Sequence, residues 1–381
     1  MSTAAGPLRI GLIVNPVAGL GGPAGLKGSD GTDIQAEALR RGSVPRSAAR
    51  MGRMLRELRR RDVPVWLLAA PGPLGEDAAR AAGWEPDAVV PWPGATPHAP
   101  TTAADTTAAA AALTARGVDV LVFAGGDGTA RDVAAGLGPD DVVLGLPAGV
   151  KMQSGVFARS PESAAGILAD AARGVGTTSV AEVVDIDEQA RREGIISSTL
   201  YGQLRVLGTR AQMQGGKVGS RSEPREVLGG IAAECAGRID PEAMCLLGPG
   251  TTVAAVAAGM GLDSTLLGVD VLHRGRLVAT DCSAAELHQV TAGHRLQVLL
   301  SPVGGQGFLL GRGNQQLDEA LLARLSPAEM LIVCTPEKLG ALGGGPFYVD
   351  VPGPDLAAAL TGPRRVVTGR RQEAVVRLQA A

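Results

Sequence analysis

Residues 118–133 read Val-Asp-Val-Leu-Val-Phe-Ala-Gly-Gly-Asp-Gly-Thr-Ala-Arg-Asp-Val, and they carry the clearest structural signal in the chain. The apolar run from Val118 to Ala124, interrupted only by Asp119, predicts a strand that is buried on both faces. A glycine loop follows this run, and a helix is expected to begin near Thr129. A strand, a glycine loop and a helix in this order are typical of a parallel α/β sheet.

The loop at the end of this strand contains Gly125, Gly126, Asp127, Gly128 and Thr129. Its glycines let the backbone approach a ligand closely and take positive φ values, and the N–H groups that open a helix attract phosphate. A carboxylate is an unusual neighbour for an anion unless it takes part in chemistry. The simplest such role is to accept a proton from a hydroxyl that attacks a phosphoryl group. A turn without chemistry is the alternative at this point.

Composition bounds the class of protein. A length of 381 residues predicts two or three domains, and a hydrophobic fraction of 45 % is enough to build their cores. Thirty-six basic and 38 acidic residues leave a formal charge of −2, so the chain as a whole does not attract nucleic acid or an anionic membrane. Aromatic residues at 2 % provide few platforms on which bases could stack.

The cysteines and the hydropathy pattern indicate a compartment. The four cysteines lie far apart without metal-ligand spacing, and we expect them to be reduced core thiols. No stretch approaches the ~20 apolar residues that a membrane span requires, and the start of the chain has no signal-peptide pattern. We therefore expect a soluble cytoplasmic protein.

The first strand and its loop suggest a second ligand contact. Leu8 to Val14 predicts a strand that ends at Asn15-Pro16, because proline cannot continue a ladder of hydrogen bonds. Residues 19–31 are rich in glycine around Lys27. This segment is either a flexible linker or a phosphate or ribose loop that uses Lys27. The second interpretation is preferred because ligands of open α/β sheets bind at the carboxyl ends of strands.

Strands and helices alternate over the following residues, which predicts a mostly parallel sheet with right-handed crossovers. Val142 to Leu146 is the strand after the Asp127 loop, and a second loop, at 147–152, follows it with Lys151. If these strands are neighbours, Lys151 and the Asp127 loop face one crevice. A helix is expected from Pro161 to Arg173.

From residue 177 the pattern changes to short strands separated by turns, which suggests an antiparallel second domain. Residues 243–247 form a strand that leads into Gly250, Thr251 and Thr252, and an apolar helix follows. This loop suits a phosphate, although threonine at a helix start is also a common cap. Residues 301–316 add a polar loop between glycines. We expect domains at 1–176 and 177–346, with the segment 347–381 packing back on the first.

In combination, these motifs resemble those of the superfamily that joins NAD kinases to diacylglycerol and sphingosine kinases. The segments that carry this similarity are Asn15-Pro16, 125–129 and 146–149. The chain resembles more closely the ATP-NAD kinase-like branch that includes the acetoin-operon accessory protein AcoX. The segments that carry this closer similarity are 25–28, 248–252, 305–307 and 311–316. The resemblance covers nearly the whole chain.

The resemblance implies an NAD kinase-like α/β fold: an N-terminal parallel-sheet domain, a β-rich second domain and a nucleotide site in the cleft between them. It implies that Asp127 is the catalytic acid that orients or deprotonates the acceptor hydroxyl. The residues expected to bind nucleotide are Asn15, Lys27, Gly125, Gly126, Gly128, Thr129, Lys151, Gly250, Thr251, Thr252, Gln306, Arg312 and Asn314. No protein metal site can be read from the spacing of ligands.

The leading hypothesis is a kinase that transfers a phosphoryl group from ATP, or from another phosphate donor, to the 2′-hydroxyl of NAD. ATP, NAD and donor-bound Mg²⁺ are the expected small molecules. We expect no nucleic-acid or membrane partner and a homo-oligomer. The alternatives are a kinase for a different hydroxylated metabolite or lipid, and a non-catalytic nucleotide-binding accessory protein of the AcoX type.

Overall fold

The structure is a computed structural model that describes residues 6–26, 32–95, 100–149, 152–186, 198–209, 213 and 225–381. Contacts between Cα atoms divide the chain into two compact units. Unit 1 comprises Met1–Gly19 and Pro45–Gly216, and unit 2 comprises Leu20–Val44 and Lys217–Ala381.

The elements are given in chain order. The first part of the chain forms β1 (Leu8–Val14), α1 (Thr32–Arg40), α2 (Ser47–Arg60), β2 (Val65–Ala69), α3 (Glu76–Ala81), β3 (Ala88–Val89), α4 (Ala103–Ala115), β4 (Val120–Gly125), α5 (Asp127–Ala134), β5 (Val142–Pro147), α6 (Pro161–Ala172), β6 (Thr178–Ile186) and β7 (Ser198–Leu207). The rest forms α7 (Arg225–Arg238), β8 (Met244–Leu247), α8 (Thr251–Gly259), β9 (Asp270–His273), β10 (Arg276–Ala279), α9 (Ala284–Val290), β11 (Leu296–Leu300), β12 (Phe308–Leu310), α10 (Glu319–Leu322), β13 (Met330–Val333), α11 (Pro336–Ala341), β14 (Phe347–Val349), α12 (Pro354–Leu360), β15 (Gly362–Gly369) and β16 (Gln372–Ala380).

Unit 1 is built on a mostly parallel sheet. Among the described residues, its strand order is β3-β2-β1-β4-β5-β7-β6. The pairs from β3 to β7 are parallel, and only β6 runs antiparallel to its neighbour β7. Successive strands leave β1 in one direction and β4 in the other. The crevice outside the carboxyl ends of β1 and β4 is therefore the topological switch point, where open α/β sheets bind ligands.

The pattern of hydrophobic residues explains which parts of unit 1 are buried. Every residue of β4 is buried, as the continuous apolar run predicts for a strand covered on both faces. Helix α2 buries Met51, Leu55 and Leu58 at helical spacing, together with Met54, so the apolar face of this amphipathic helix lies in the core. Helix α4 begins with a capping box between Thr102 and Asp105, which satisfies N–H groups at its first turn.

Unit 2 contains a larger mixed sheet. Among the described residues, its strand order is β10-β9-β8-β11-β13-β15-β16-β14-β12. Strands β8, β11, β13 and β15 are mutually parallel, so the prediction of an antiparallel second domain was wrong for the centre of this sheet. Helices connect these strands, and parallel neighbours require such crossovers. The broader expectation of a strand-rich second domain is confirmed.

The units also differ from the predicted domains. Strands β6 and β7 belong to the first sheet because β7 pairs with β5, so unit 1 extends beyond the predicted boundary at residue 176. Residues 20–44 belong to unit 2, although they follow the first strand of unit 1. Strands β14, β15 and β16 lie in the sheet of unit 2, which places 347–381 there rather than on the first domain.

Among the described residues, no helix combines the length and the apolar character that crossing a membrane needs.

Candidate functional site

The switch point of unit 1 joins the ends of two neighbouring strands. Asn15 follows β1, and Gly125 is the last residue of β4. The Nδ2 group of Asn15 donates a hydrogen bond of 2.9 Å to Oγ1 of Thr129, in the first turn of α5. The contact joins the end of β1 to the helix that follows β4. Asn15 therefore lies beside the Asp127 loop.

Asp127 is the first residue of α5 and is only 7 % exposed. Its Oδ2 accepts a hydrogen bond of 2.7 Å from the backbone N–H of Gln153, and its Oδ1 accepts one of 3.0 Å from the backbone N–H of Ser154. Burial raises the pKa of the Asp127 carboxyl to about 6, although these hydrogen bonds favour the ionised form. The group is thus a base whose pKa lies close to neutral pH, as general-base catalysis requires.

A second carboxylate lies near this loop. Asp185 on β6 accepts a hydrogen bond of 2.9 Å from Arg131 Nη1, and Arg131 also contacts Asp132 at 3.1 Å. The guanidinium of Arg131 lies 5.6 Å from the centre of the Tyr201 ring. The charge of Asp185 is balanced by Arg131, whereas backbone N–H groups hold Asp127.

The glycines of the Asp127 loop serve close packing. None of Gly125, Gly126 and Gly128 has a positive φ, so the expectation of left-handed backbone here was wrong. A Cβ at Gly125 would overlap the side chain of Thr129, and the backbone of Gly126 lies against Gly149 in the loop after β5. Gly128 has more space, with the nearest atom, Asp185 Oδ2, 3.8 Å from the position of its Cβ.

The sequence reasoning missed Ser154, Arg131 and Asp185. The hydroxyl of Ser154 donates to the carbonyl of Val184, which ties the loop after β5 to β6. Its position after a predicted strand was the signal that could have identified Ser154. No local signal identifies Asp185, because its contact with Arg131 depends on the pairing of β6 in the first sheet.

The predicted loop after β8 is also present, in unit 2. Gly250 precedes α8 with φ +124, a value that L side chains rarely adopt. Thr251 is exposed and Thr252 is buried in the first turn of α8. The strand, the glycine loop and the helix therefore have the predicted order.

The polar loop after β12 has internal partners. Arg312 is 5 % exposed, forms an ion pair of 3.2 Å with Asp350, and lies 4.8 Å above the ring of Phe308. Asn314 donates to the carbonyl of Leu309 and accepts from the backbone N–H of Gly311. These contacts give Arg312 and Asn314 a structural role, and their predicted contact with nucleotide stays a prediction. Gln306 lies half-buried in the turn that precedes β12.

The two predicted lysines, Lys27 and Lys151, lie outside the described residues. The part of the first glycine loop that is described, residues 20–26, packs within unit 2. A Cβ at Gly22 would meet Gln315 at 3.1 Å, and the carbonyl of Pro23 accepts a hydrogen bond from the N–H of Ala284. This part of the loop is packed, which disfavours the interpretation as a flexible linker.

Within the described ranges, no group of three or more His, Cys, Asp and Glu side chains is arranged to hold a metal ion.

Comparison with known proteins gives two findings, both from family models. The model for the ATP-NAD kinase N-terminal domain matches residues 10–174, and the model for the ATP-NAD kinase C-terminal domain matches residues 241–378. No curated protein and no solved structure matches the chain significantly. The Asp127 loop lies within the first match, and the Gly250 loop lies within the second.

Proposed function

The chain belongs to the ATP-NAD kinase family, and on that premise we propose that it transfers a phosphoryl group from ATP, or from another phosphate donor, to the 2′-hydroxyl of NAD. Both matched domains are those of a kinase that acts on an alcohol group. The coarse assignment is therefore a phosphotransferase. The identity of the donor and of the acceptor, and the closer relation to the AcoX-like branch, belong to the proposal.

The observation that carries this proposal is the environment of Asp127. The carboxylate is buried at the switch point of the sheet, and its pKa of about 6 suits a group that exchanges a proton near neutral pH. An acid at a helix N-terminus stabilises the helix, but it lowers the affinity of a phosphate site. A hydroxyl that has to lose a proton there would give this acid a catalytic use.

The residues of unit 1 divide the work of the reaction. The ionised carboxylate of Asp127 accepts the proton of the acceptor hydroxyl while the oxygen of that hydroxyl attacks the phosphoryl group. The bond from phosphorus to the bridging oxygen of the donor breaks, and the rest of the donor leaves, as ADP when the donor is ATP. The N–H groups of Gln153 and Ser154 hold the carboxylate in place during this step. The first turn of α5 offers N–H groups to the phosphate. Mg²⁺ carried by the donor neutralises phosphate charge when it is bound.

The test is a phosphorylation assay with labelled ATP against NAD, NADH, and a panel of nucleosides, polyols and lipids. Asp127→Asn should leave nucleotide affinity nearly unchanged and reduce turnover by about 10²-fold or more, the usual scale for a positioned base. Asp140→Asn is the control, because this acid of unit 1 is 92 % exposed and should keep turnover within a few-fold of wild type.

Two outcomes would contradict the proposal. If the wild-type protein labels no acceptor in the panel, the proposal of a kinase activity is wrong. If Asp127→Asn keeps turnover close to wild type at saturating substrates, Asp127 is not the base. Labelling of another hydroxylated metabolite or of a lipid, but not of NAD, would replace the acceptor and retain the reaction type.

A second candidate is a nucleotide-binding accessory protein without catalysis. The favouring observation is that both oxygens of Asp127 accept backbone hydrogen bonds, which is also what a purely structural acid does. Calorimetry together with the phosphorylation assay separates the two candidates, since an accessory protein binds ATP or NAD but shows no turnover. The cytoplasmic location and the homo-oligomer stay predictions, and light scattering after size-exclusion chromatography tests the second.

A further inference from the structure

Three parallel strands of unit 2 end at one edge of the sheet with polar side chains. Thr252 follows β8, Ser301 follows β11 and Lys338 lies on α11 after β13. Residues of β11 are paired with residues of both β8 and β13, so the three ends are neighbours. The carboxyl edge of such a sheet is where α/β proteins bind ligands.

The three side chains form a cluster of hydrogen-bond donors. Lys338 Nζ donates to Thr252 Oγ1 at 3.2 Å and to Ser301 Oγ at 3.0 Å. A hydroxyl that accepts from an ammonium keeps its own proton to donate. In the part of the chain that the structure describes, neither hydroxyl proton has an acceptor. The cluster therefore consists of an ammonium group and two hydroxyl groups whose protons can be donated.

The backbone beside the cluster has the same character. Helix α8 begins after Gly250, which offers no side chain to cap the first turn. The N–H groups of Thr252 and Val253 belong to this first turn, where an α-helix provides no acceptor. A Cβ at Gly248 would meet Leu300 Cδ2 at 2.6 Å, so a glycine lets the loop pack closely against β11.

We propose that Lys338, Thr252 and Ser301 form a phosphate-binding site in unit 2. A phosphate group presents several charged oxygens, which suits an ammonium, two hydroxyls and helix N–H groups together. The proposal deepens the kinase function and rests on it only for the identity of the phosphate as part of a nucleotide. Among its residues, Thr252 was predicted from sequence, whereas Lys338 and Ser301 were not.

The competing explanation is that the lysine only joins the three strand ends. A structural lysine would change stability when it is replaced, but it would leave phosphate affinity unchanged. Lys338→Met keeps the apolar stem and removes the charge. Ser301→Ala removes one hydroxyl and leaves the lysine with its bond to Thr252. Arg377→Met is the control, since Arg377 is an exposed cation on β16 of the same unit.

The experiment is calorimetric titration of the full-length variants with inorganic phosphate, pyrophosphate, ADP and adenosine at low ionic strength. Lys338→Met should raise the dissociation constant for ADP and pyrophosphate by about 10- to 100-fold, the scale of a charge-assisted hydrogen bond. Ser301→Ala should raise it by roughly 3- to 10-fold. Adenosine should bind all variants alike, and Arg377→Met should match wild type for every ligand.

Several results would overturn the proposal. One is wild-type affinity for phosphate ligands in Lys338→Met; another is the absence of phosphate binding by the wild-type protein. If Lys338→Met fails to fold, unchanged ADP affinity in Ser301→Ala decides against the site. Turnover is measured separately, which keeps the two proposals distinguishable. If the protein binds pyrophosphate through Lys338 but phosphorylates no acceptor, the proposed phosphate site is correct and the proposed kinase function is wrong.

Discussion

The loops that follow β4 in unit 1 and β8 in unit 2 share a backbone design but differ in charge. Each loop follows a parallel strand, contains glycines and leads into a helix. The first turn of the helix carries the carboxylate of Asp127 in unit 1, and in unit 2 it carries Thr252, which is bonded to Lys338. Under the two proposals, the N–H groups of the first helical turn attract a phosphate in both loops, and the side chains decide what chemistry occurs there. A buried acid suits proton transfer, and an ammonium with hydroxyls suits holding a phosphate.

The largest expected effect concerns Arg312, the buried cation of unit 2 that could replace Lys338 as the phosphate ligand in this comparison. Asp350→Asn would leave Arg312 buried without its ionised partner, so we expect the free energy of unfolding to fall by about 3–5 kcal/mol. Phosphate affinity should stay within about twofold of wild type, because the pair is internal. Chemical denaturation and calorimetric titration measure the two quantities.

The exposed pair of Arg274 and Glu242 supplies the control for this prediction. Both side chains are 66 % exposed, and Glu242→Gln should cost less than about 1 kcal/mol. If Asp350→Asn or Arg312→Met weakens phosphate binding as much as Lys338→Met, the charge assigned to unit 2 belongs to the Arg312 loop instead.

The next effect compares the glycines at the two strand ends. In Gly125→Ala the new Cβ would overlap the Cβ of Thr129, which the first turn of α5 holds rigidly. In Gly248→Ala the obstacle is the far end of the flexible Leu300 side chain, at 2.6 Å. We expect losses of roughly 3 and 1 kcal/mol, the two ends of the range for overpacking. Equal losses in thermal or chemical unfolding would mean that both loops tolerate a side chain in the same way.

The smallest effect is a pH dependence that should belong to unit 1. A base with a pKa of about 6 is protonated below that pH, so kcat/KM should fall by roughly tenfold for each pH unit below 6. Above pH 6 the carboxylate is ionised, so the titration of Asp127 should no longer change kcat/KM. A pH–rate profile between pH 5 and 8 measures this. If kcat/KM of Asp127→Asn falls in the same way below pH 6, the ionisation belongs to another group.

The pKa of Asp127 also predicts the sign of a stability change. Because the pKa is raised in the folded state above its ordinary value of 3.8, the folded protein binds this proton more tightly than the unfolded chain does. Asp127 therefore destabilises the protein at neutral pH, and this cost is relieved as the pH falls from about 6 towards 3.8. The proposed activity of Asp127 as a base and the stability of the protein therefore have opposite pH requirements.

Much of the local structure followed from the sequence. The strand Leu8–Val14 has the predicted bounds, and the helix predicted from Pro161 to Arg173 ends one residue early, at Ala172. The glycine loops after β4 and β8 were identified correctly as strand-to-helix turns. The NAD kinase-like family suggested by the motifs is confirmed by the two domain matches. These features depend on periodicity and turn residues within a short stretch of chain.

The sequence did not reveal which distant segments pair in one sheet, nor which distant side chains contact each charged group. It placed β6 and β7 in the second domain because short strands look alike wherever they pair. Residues 19–31 were predicted to be a ligand loop of the first domain, but the segment 20–44 belongs to unit 2. Arg312 was predicted to bind nucleotide, and only the structure shows that Asp350, 38 positions later, is its ion-pair partner. Lys338 went unnoticed because its partner Thr252 lies 86 residues away.

The sequence by itself determined the alternation of strands and helices, the glycine loops and the acid at the tip of one of them, because each depends on neighbouring residues. Only the tertiary structure decided what surrounds each charged group. The pKa of Asp127, the neutralisation of Arg312 and the hydroxyls around Lys338 all depend on atoms from distant parts of the chain. Burial and Coulomb interactions act through space, so a local pattern cannot specify them.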